Sequence, residues 1–163
     1  MKIRPATDAD RDAIWNIFRE VVAAGDTYAL DSNISREEAL AYWVVPGAHT
    51  YVAEQPGFGV AGTYILRPNQ SGGGSHVANA GFMVSASARG HGLGRAMVEH
   101  CLSEARRLGF RAMQFNYVIS TNTAAIRLWQ DFGFEIVGTL ARAFRHPDKG
   151  YVDVYVMYRS LVP

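Results

Sequence analysis

The residues with the clearest chemistry are 89–95, Arg-Gly-His-Gly-Leu-Gly-Arg. Glycine at alternate positions lets the backbone approach a ligand closely and lets several N–H groups point in one direction. The segment follows an apolar, strand-like run over Val77–Val84 and opens an amphipathic segment that extends to about Leu108. Such a turn at a helix N-terminus binds anions, most often phosphate. The sequence therefore predicts a ligand that carries phosphate.

Two asparagines interrupt apolar strands, Asn79 within Val77–Val84 and Asn116 within Met113–Val118. A buried asparagine is costly unless its amide is paired. One interpretation is a structural hydrogen bond in the core. The other has both amides facing a cleft, where they hold the carboxylate or the amine of a substrate. An amide has no useful pKa, so it would position a substrate and not remove a proton.

The other reactive side chains give weaker signals. The five histidines show no pair with metal-ligand spacing and a supporting carboxylate, so no metal site is predicted. We expect His91 to expose its ring within the glycine turn, and His76 is a weak candidate base. Cys101 is the single cysteine, on the apolar face of a predicted helix, and is interpreted as core packing.

The elements that must position these residues alternate between strand and helix patterns. Helices are predicted from Thr7 or Asp8 to Gly25, from Ser35 to Trp43, after the glycine turn, and over Thr123–Phe132. A long helical connection makes the strand at 111–119 parallel to Val77–Val84. The prediction is an α/β fold with a mixed sheet of about seven strands, over residues 2–4, 50–54, 60–67, 77–84, 111–119, 134–143 and 151–158.

Length and charge narrow the class of protein. A chain of 163 residues favours one domain, here residues 1–163. A net charge of +1 gives no reason to expect nucleic acid or an anionic membrane. The start Met1–Pro5 does not resemble a signal peptide, and no apolar run is long enough to span a bilayer. We therefore expect a cytoplasmic protein.

Two motifs resemble one family. Residues 89–94 match the Arg/Gln-x-x-Gly-x-Gly/Ala signature of the GCN5-related N-acetyltransferases (GNAT family), and residues 122–134 resemble its Asn-x-x-Ala-x-x-Leu-Tyr-x-x-x-Gly-Phe block. The Walker and Rossmann glycine patterns do not fit. A tight turn without a ligand would not need three glycines flanked by two arginines. The resemblance implies a single-domain fold in which two parallel strands splay at the cofactor site.

A closer resemblance concerns the substrate. Residues 115–122 and Gly25–Ala29 resemble the branch that acetylates proline analogues such as azetidine-2-carboxylate, and Lys149–Val154 resembles phosphinothricin-type acetyltransferases. Both branches modify small amines that resemble amino acids, so the resemblance implies a small-molecule amine as the acceptor. The matching asparagines of the first branch occupy the reaction centre, which favours the functional interpretation of Asn79 and Asn116.

The resemblance also implies acetyl-CoA as the acetyl donor. Backbone N–H groups of Gly90, His91, Gly92, Leu93 and Gly94 are then expected to hold the pyrophosphate. Arg89 and Arg95 would add charge, and the open strand edge at Phe82, Met83 and Val84 would pair with the pantetheine amides. Asn122 resembles the position that contacts the cofactor near the pantetheine, and it can equally cap the helix that starts at Thr123.

Acetyl transfer needs a neutral amine close to the thioester and a donor for the oxyanion. We expect that donor to be a backbone N–H near Met83 or Val84. Trp129 stands where many relatives have a tyrosine that protonates the leaving thiolate, so that role is filled elsewhere or is unnecessary. Tyr28 lies in the loop that forms the substrate rim in relatives, where it either stacks on the amine or packs in the core.

Two alternatives remain open at this stage. The acceptor could be a protein N-terminus or a lysine, although the sequence has no acidic run to suit a peptide groove. The chain could also be an acyl-CoA-binding module without turnover, as the missing tyrosine suggests. A homodimer is common in the family and is expected on that ground alone.

Overall fold

Seven strands form one mixed sheet in a computed structural model that describes residues 1–163, with strand order β1-β2-β3-β4-β5-β7-β6. The strands are β1 (Lys2–Pro5), β2 (His49–Gln55), β3 (Gly59–Pro68), β4 (Val77–Val84), β5 (Ala112–Ile119), β6 (Glu135–His146) and β7 (Gly150–Ser160). The helices are α1 (Arg11–Ala24), α2 (Arg36–Trp43), α3 (Leu93–Arg107) and α4 (Thr123–Asp131). The predicted fold class and strand count are confirmed.

Helices α1 and α2 cover one face of the sheet. The buried stripe of α1 consists of Ile14, Ile17, Phe18, Val21 and Val22. The helix stops at Gly25, whose φ of 68° is the left-handed value that glycine adopts easily. A 3₁₀ turn over Asp8–Asp10 precedes α1, so the α-helix begins two or three residues later than a cap at Asp8 or Thr7 predicts. Ser35 and Glu38 form the expected capping box at the start of α2.

Helix α3 packs on the opposite face of the sheet. Cys101 is fully buried there beside Met97, which confirms its interpretation as core packing. Burial raises the pKa of the Cys101 thiol well above its usual range, so the thiol stays protonated and unreactive. With 15 residues α3 is the longest helix, and neither it nor any other is long and apolar enough to cross a membrane.

The pairing of β4 with β5 positions the site. Strand β3 pairs with seven of the eight residues of β4, from Ala78 to Val84, whereas β5 pairs with β4 only at Val77–Ala112 and Ala78–Met113. Beyond that point β5 diverges, and its pairing with β7 has an irregularity between Phe115 and Val118. The C-terminal half of β4 therefore has an open edge, which confirms the predicted splay of two parallel strands.

Candidate active site

A cleft of about 630 Å³ opens where β4 and β5 diverge. Its floor is β4, and its walls come from α2, the loop after α1, β5 and the start of α4. Hydrophobic side chains make up 19 of its 27 lining residues, and the charged ones are Asp26, Arg67 and Arg89. The cleft has the size and apolar character of a small-molecule site.

The glycine turn lies at the end of the cleft marked by Arg89. Gly90 and Gly92 adopt φ values of 80° and 78°, and a side chain at either position would be strained. The N–H groups of residues 90–95 make no hydrogen bond within the protein. Gly92 is the N-cap of α3, so these donors cluster at the positive end of a 15-residue helix. This backbone geometry fits the anion site that the sequence predicts.

The side chains of the turn differ in their surroundings. Leu93 is 1% exposed in the core, so only its N–H can face a ligand. The ring of His91 is exposed as expected, with Nδ1 3.0 Å from the carbonyl oxygen of Arg89. Arg95 forms an ion pair with Asp131 at 2.5 Å, and its guanidinium lies over the ring of Phe132. The charge of Arg95 is therefore already partnered, which leaves Arg89 as the unpaired cation of the turn.

The edge of β4 exposes alternate backbone groups. Ser85 donates to Ala61 across the β3–β4 ladder at 2.9 Å. Because bonded and non-bonded pairs alternate in an antiparallel ladder, the polar backbone groups of Met83 face β3 and those of Phe82 and Val84 face the cleft. Met83 is also 2% exposed, with its side chain in the core under α1. Of the two expected oxyanion donors, this geometry favours Val84 over Met83.

Tyr28 uses its hydroxyl on the backbone of Phe82. The hydroxyl donates to the Phe82 carbonyl oxygen at 3.0 Å and accepts from the Phe82 N–H at 2.9 Å. Its ring meets Trp43 edge-on, with centroids 6.3 Å apart. Desolvation raises the pKa of Tyr28 well above its ordinary value, so the phenol is protonated at neutral pH. Tyr28 thus reaches the cleft while packing as a core aromatic does.

Gly81 allows the Tyr28 hydroxyl to approach the backbone of Phe82, and the sequence analysis did not identify this role of Gly81. A Cβ at Gly81 would lie 3.1 Å from both the Tyr28 hydroxyl oxygen and Trp43. A glycine inside a strand marks close approach by another group, so the signal was present in the sequence. Arg67 was also missed. It lies near the end of β3, and nothing in its local sequence distinguishes it from a surface residue.

Both predicted asparagines line the cleft, with different surroundings. Asn79 is half-buried, and its Nδ2 donates to the carbonyl oxygen of Gln114 at 2.9 Å. These are the first residues beyond the last β4–β5 pair, so the amide satisfies a carbonyl where the strands separate. Asn116 is exposed, which corrects the expectation of burial. It donates to Asn69 Oδ1 at 2.6 Å and accepts from Gln114 Nε2 at 2.9 Å.

Asn122 and Trp129 belong to the α4 side of the cleft. Asn122 caps α4 by accepting from the N–H of Ala125 at 3.3 Å, and it also lines the cleft, so neither interpretation of it is excluded. The Trp129 ring lies 4.6 Å from Phe115 and 5.3 Å from Phe82 between centroids. Trp129 packs among aromatic rings, as a residue without a proton-transfer role would. His76, the weak candidate base, is exposed at the start of β4 and lies outside the cleft.

Known proteins are similar to this chain in both sequence and fold. The model of the acetyltransferase (GNAT) family matches residues 12–134. The N-acetyltransferase aca1 of Schizosaccharomyces pombe is 32% identical over 151 residues, which cover 83% of this chain and 72% of that protein.

Two solved structures are similar over nearly their whole length. A GCN5-related N-acetyltransferase from Kribbella flavida is 47% identical with a TM-score of 0.93, covering 98% of this chain and 96% of that one. The structure of yncA from Salmonella typhimurium, solved with its cofactor acetyl-CoA, is 27% identical with a TM-score of 0.86. That match covers 100% of this chain and 95% of the other. The chain therefore belongs to the acetyltransferase (GNAT) family and is an acetyl-CoA-dependent N-acetyltransferase.

Proposed function

We propose that the acceptor of this enzyme is the amine of a small amino acid or amino-acid analogue. One observation carries the proposal: a single cleft joins the glycine turn, the open edge of β4 and the two asparagines. Acetyl-CoA supplies the acetyl group as a thioester, which an uncharged amine can attack. A cleft of about 630 Å³ suits a small acceptor.

The residues of the turn fit a pyrophosphate. Six consecutive backbone positions, residues 90–95, have N–H groups without a partner in the protein, and the glycines among them keep the approach open. We assign Arg89 to the phosphate charge, since Arg95 is paired with Asp131. Phosphates at this end would direct the rest of the donor along β4 towards the asparagines.

The edge of β4 provides the donor for the charge that develops on the acetyl oxygen. Val84 presents its backbone to the cleft, whereas the Phe82 N–H is occupied by the Tyr28 hydroxyl. We therefore assign the Val84 N–H to the oxyanion, and the pantetheine amides to the part of the open β4 edge that the Tyr28 hydroxyl leaves free. A fixed backbone donor in an apolar cleft needs no reorganisation during the reaction, and this favours catalysis.

The acceptor end of the cleft contains the amides of Asn79 and Asn116. We propose that Asn79 and Asn116 orient the acceptor by hydrogen bonds, and that Tyr28 shapes this end by packing against Trp43. The lining contains no histidine, so the proposal has the amine enter uncharged and gives no side chain the role of base. As the C–N bond forms and the C–S bond breaks, the attacking nitrogen gives up a proton to water and the leaving thiolate takes a proton from water, while Trp129 contributes packing alone.

A direct assay tests the proposal. The protein is incubated with acetyl-CoA and a panel of proteinogenic and cyclic amino acids, with peptides carrying a free N-terminus or a lysine alongside. Free thiol release and the mass of the acetylated product are measured. Acetylation of free amino acids supports the proposal. Acetylation of peptides alone would favour a protein acceptor, and acetyl-CoA binding without thiol release would favour a non-catalytic module.

The homodimer and the cytoplasmic location stay predictions. The outer strand β6 carries exposed apolar side chains, among them Ile136, Val137 and Leu140, which are 40%, 58% and 45% exposed. Such side chains on an edge strand support burial against a second copy. Light scattering of the purified protein measures the oligomeric state directly.

A further inference from the structure

We infer that Arg67 binds a carboxylate of the acceptor, so that the enzyme selects amines that also carry a free carboxylate. The inference rests on the proposed function and deepens it by naming the group that the enzyme recognises. It depends on the placement of Arg67 beside Asn79, on the missing partner for its charge, and on the way Tyr42 holds it.

Arg67 and Asn79 form a cross-strand pair. They are directly opposite in the β3–β4 register, so their side chains lie on the same face of the sheet, with Cβ atoms about 5 Å apart. The next pair on that face of the sheet is Ile65 with Gly81, over which the Tyr28 hydroxyl lies. Arg67 therefore belongs to the acceptor end of the cleft, among the residues that surround the open edge of β4.

The charge of Arg67 has no carboxylate partner within the protein. Six ion pairs are present, and Arg67 takes part in none of them. Asp26 is the one acidic residue that lines the cleft, against the two arginines, Arg67 and Arg89. Arg67 is half-buried in the cleft, and carboxylates and phosphates are the anions that arginine binds best.

Tyr42 holds the guanidinium in place and leaves most of its donors free. Arg67 Nη2 donates to the Tyr42 hydroxyl oxygen at 3.3 Å, and the guanidinium carbon lies 5.0 Å from the centre of the Tyr42 ring. An arginine side chain has five N–H donors, and this is the one hydrogen bond that the Arg67 side chain makes. The remaining donors have the fork geometry that matches a carboxylate.

The two unpaired cations of the cleft serve different ends of it. Arg89 opens the glycine turn, beyond the C-terminal end of β4, whereas Arg67 lies opposite Asn79, near the N-terminal end of that strand. Phosphates held by the turn therefore lie away from Arg67. This leaves the acceptor as the source of the anion at Arg67, and a free amino acid has both the amine and the carboxylate that the cleft would bind.

The test compares acceptors that differ only in that charge. Alanine, methionine and proline are each assayed beside their own carboxamides, with wild type, Arg67→Gln and the control Arg145→Gln. Arg145 is an exposed arginine on β6, outside the cleft. We expect the kcat/KM ratio of acid to amide to fall tenfold or more in Arg67→Gln, because a hydrogen-bonded ion pair is lost. Activity on the amides should fall much less than activity on the acids, the Tm and the affinity for acetyl-CoA should be unchanged, and Arg145→Gln should behave as wild type.

A binding measurement separates this inference from the proposed function. In the presence of CoA, the amino acids should raise the Tm of wild type and not that of Arg67→Gln, and the amides should raise neither. Carboxylate-dependent binding without acetyl transfer would support Arg67 and contradict the proposed function. Acetyl transfer with an acid-to-amide ratio unchanged by Arg67→Gln would overturn the role of Arg67 alone. Absence of both binding and transfer would overturn both.

Discussion

The hydroxyl of Tyr28 both donates to the carbonyl oxygen of Phe82 and accepts from its N–H, at 3.0 and 2.9 Å. The two residues are 54 positions apart in the sequence, in a loop after α1 and in the centre of β4. Phe82 lies where β5 has diverged from β4, so its backbone has no strand partner on that side. The Tyr28 hydroxyl therefore makes the two backbone hydrogen bonds that a neighbouring strand would otherwise make to Phe82.

Tyr28→Phe tests this structural role of the Tyr28 hydroxyl. Removing the hydroxyl leaves a partly buried N–H and carbonyl without a partner, which should cost about 1–3 kcal/mol of folding free energy. Thermal unfolding should show a lower Tm, whereas Tyr151→Phe, at a tyrosine that is 60% exposed, should change it little. Acetyl-CoA affinity by calorimetry should not fall, since the hydroxyl makes no contact with the glycine turn. Equal Tm values for the two variants would contradict the structural role of Tyr28.

Asn79→Ala and Asn116→Ala should each lower turnover on the accepted amine by tenfold or more, at least about 1.4 kcal/mol, with acetyl-CoA affinity unchanged. The structure separates their effects on stability. Asn79→Ala should also lower the Tm, because the Gln114 carbonyl loses its donor, whereas exposed Asn116 should tolerate alanine. Full activity in both variants, measured by steady-state kinetics, would assign the asparagines to structure alone.

Gly92→Val should abolish acetyl-CoA binding with the fold retained. Valine at a φ of 78° is strained, and its side chain would stand beside the N–H groups that the phosphates need. Gly57→Val is the matched control, since Gly57 has a φ of 84° in the turn between β2 and β3 and open space around its Cβ position. Calorimetry should show lost affinity in the first variant only. A similar affinity in both would place the phosphates elsewhere.

Trp129→Phe should change turnover by no more than a few fold. The indole packs against Phe115 and Phe82, and phenylalanine keeps most of that contact while removing the N–H. The measurement is kcat with a saturating amine, with thermal unfolding as a check on folding. A loss of a hundredfold, about 2.7 kcal/mol, in a folded variant would show that the indole N–H takes part in the reaction.

We expect the ionisation of Asp10 to make the free energy of unfolding depend on pH in the acidic range. The Arg4 guanidinium, with help from Thr7, lowers the pKa of Asp10 to about 2 from an ordinary 3.8. A carboxyl with a lowered pKa stabilises the fold above its unfolded pKa, and this contribution is lost as pH falls from about 4 through about 2. Asp10→Asn should cost about 2 kcal/mol at pH 7, and little at pH 2. Denaturant unfolding at both pH values measures this.

The control for that prediction is Asp8→Asn. The Asp8 side chain is 94% exposed in its pair with Arg11, so the change should be small at every pH. A destabilisation by Asp10→Asn that is as large at pH 2 as at pH 7 would mean that the ion pair with Arg4 is not its source.

The sequence by itself determined the elements and the family. Three features could be predicted because each depends on the backbone conformation of a few contiguous residues. They are the glycine turn, the stop of α1 at Gly25 and the capping box at Ser35. The strands followed from apolar runs, and the divergence of β4 from β5 followed from the family resemblance. Asn79 and Asn116 could be recognised as candidates because a polar side chain inside an apolar strand needs a hydrogen-bond partner if it is buried.

Only the tertiary structure decided which of these residues meet. Arg95 was expected at the phosphates, yet it pairs with Asp131, 36 positions away, because α4 lies beside the start of α3. Arg67 stands beside Asn79 because of the β3–β4 register, and the Tyr28 hydroxyl reaches Phe82 because Gly81 has no side chain. Contacts of this kind depend on how distant segments pack, and no local pattern of residue types encodes them.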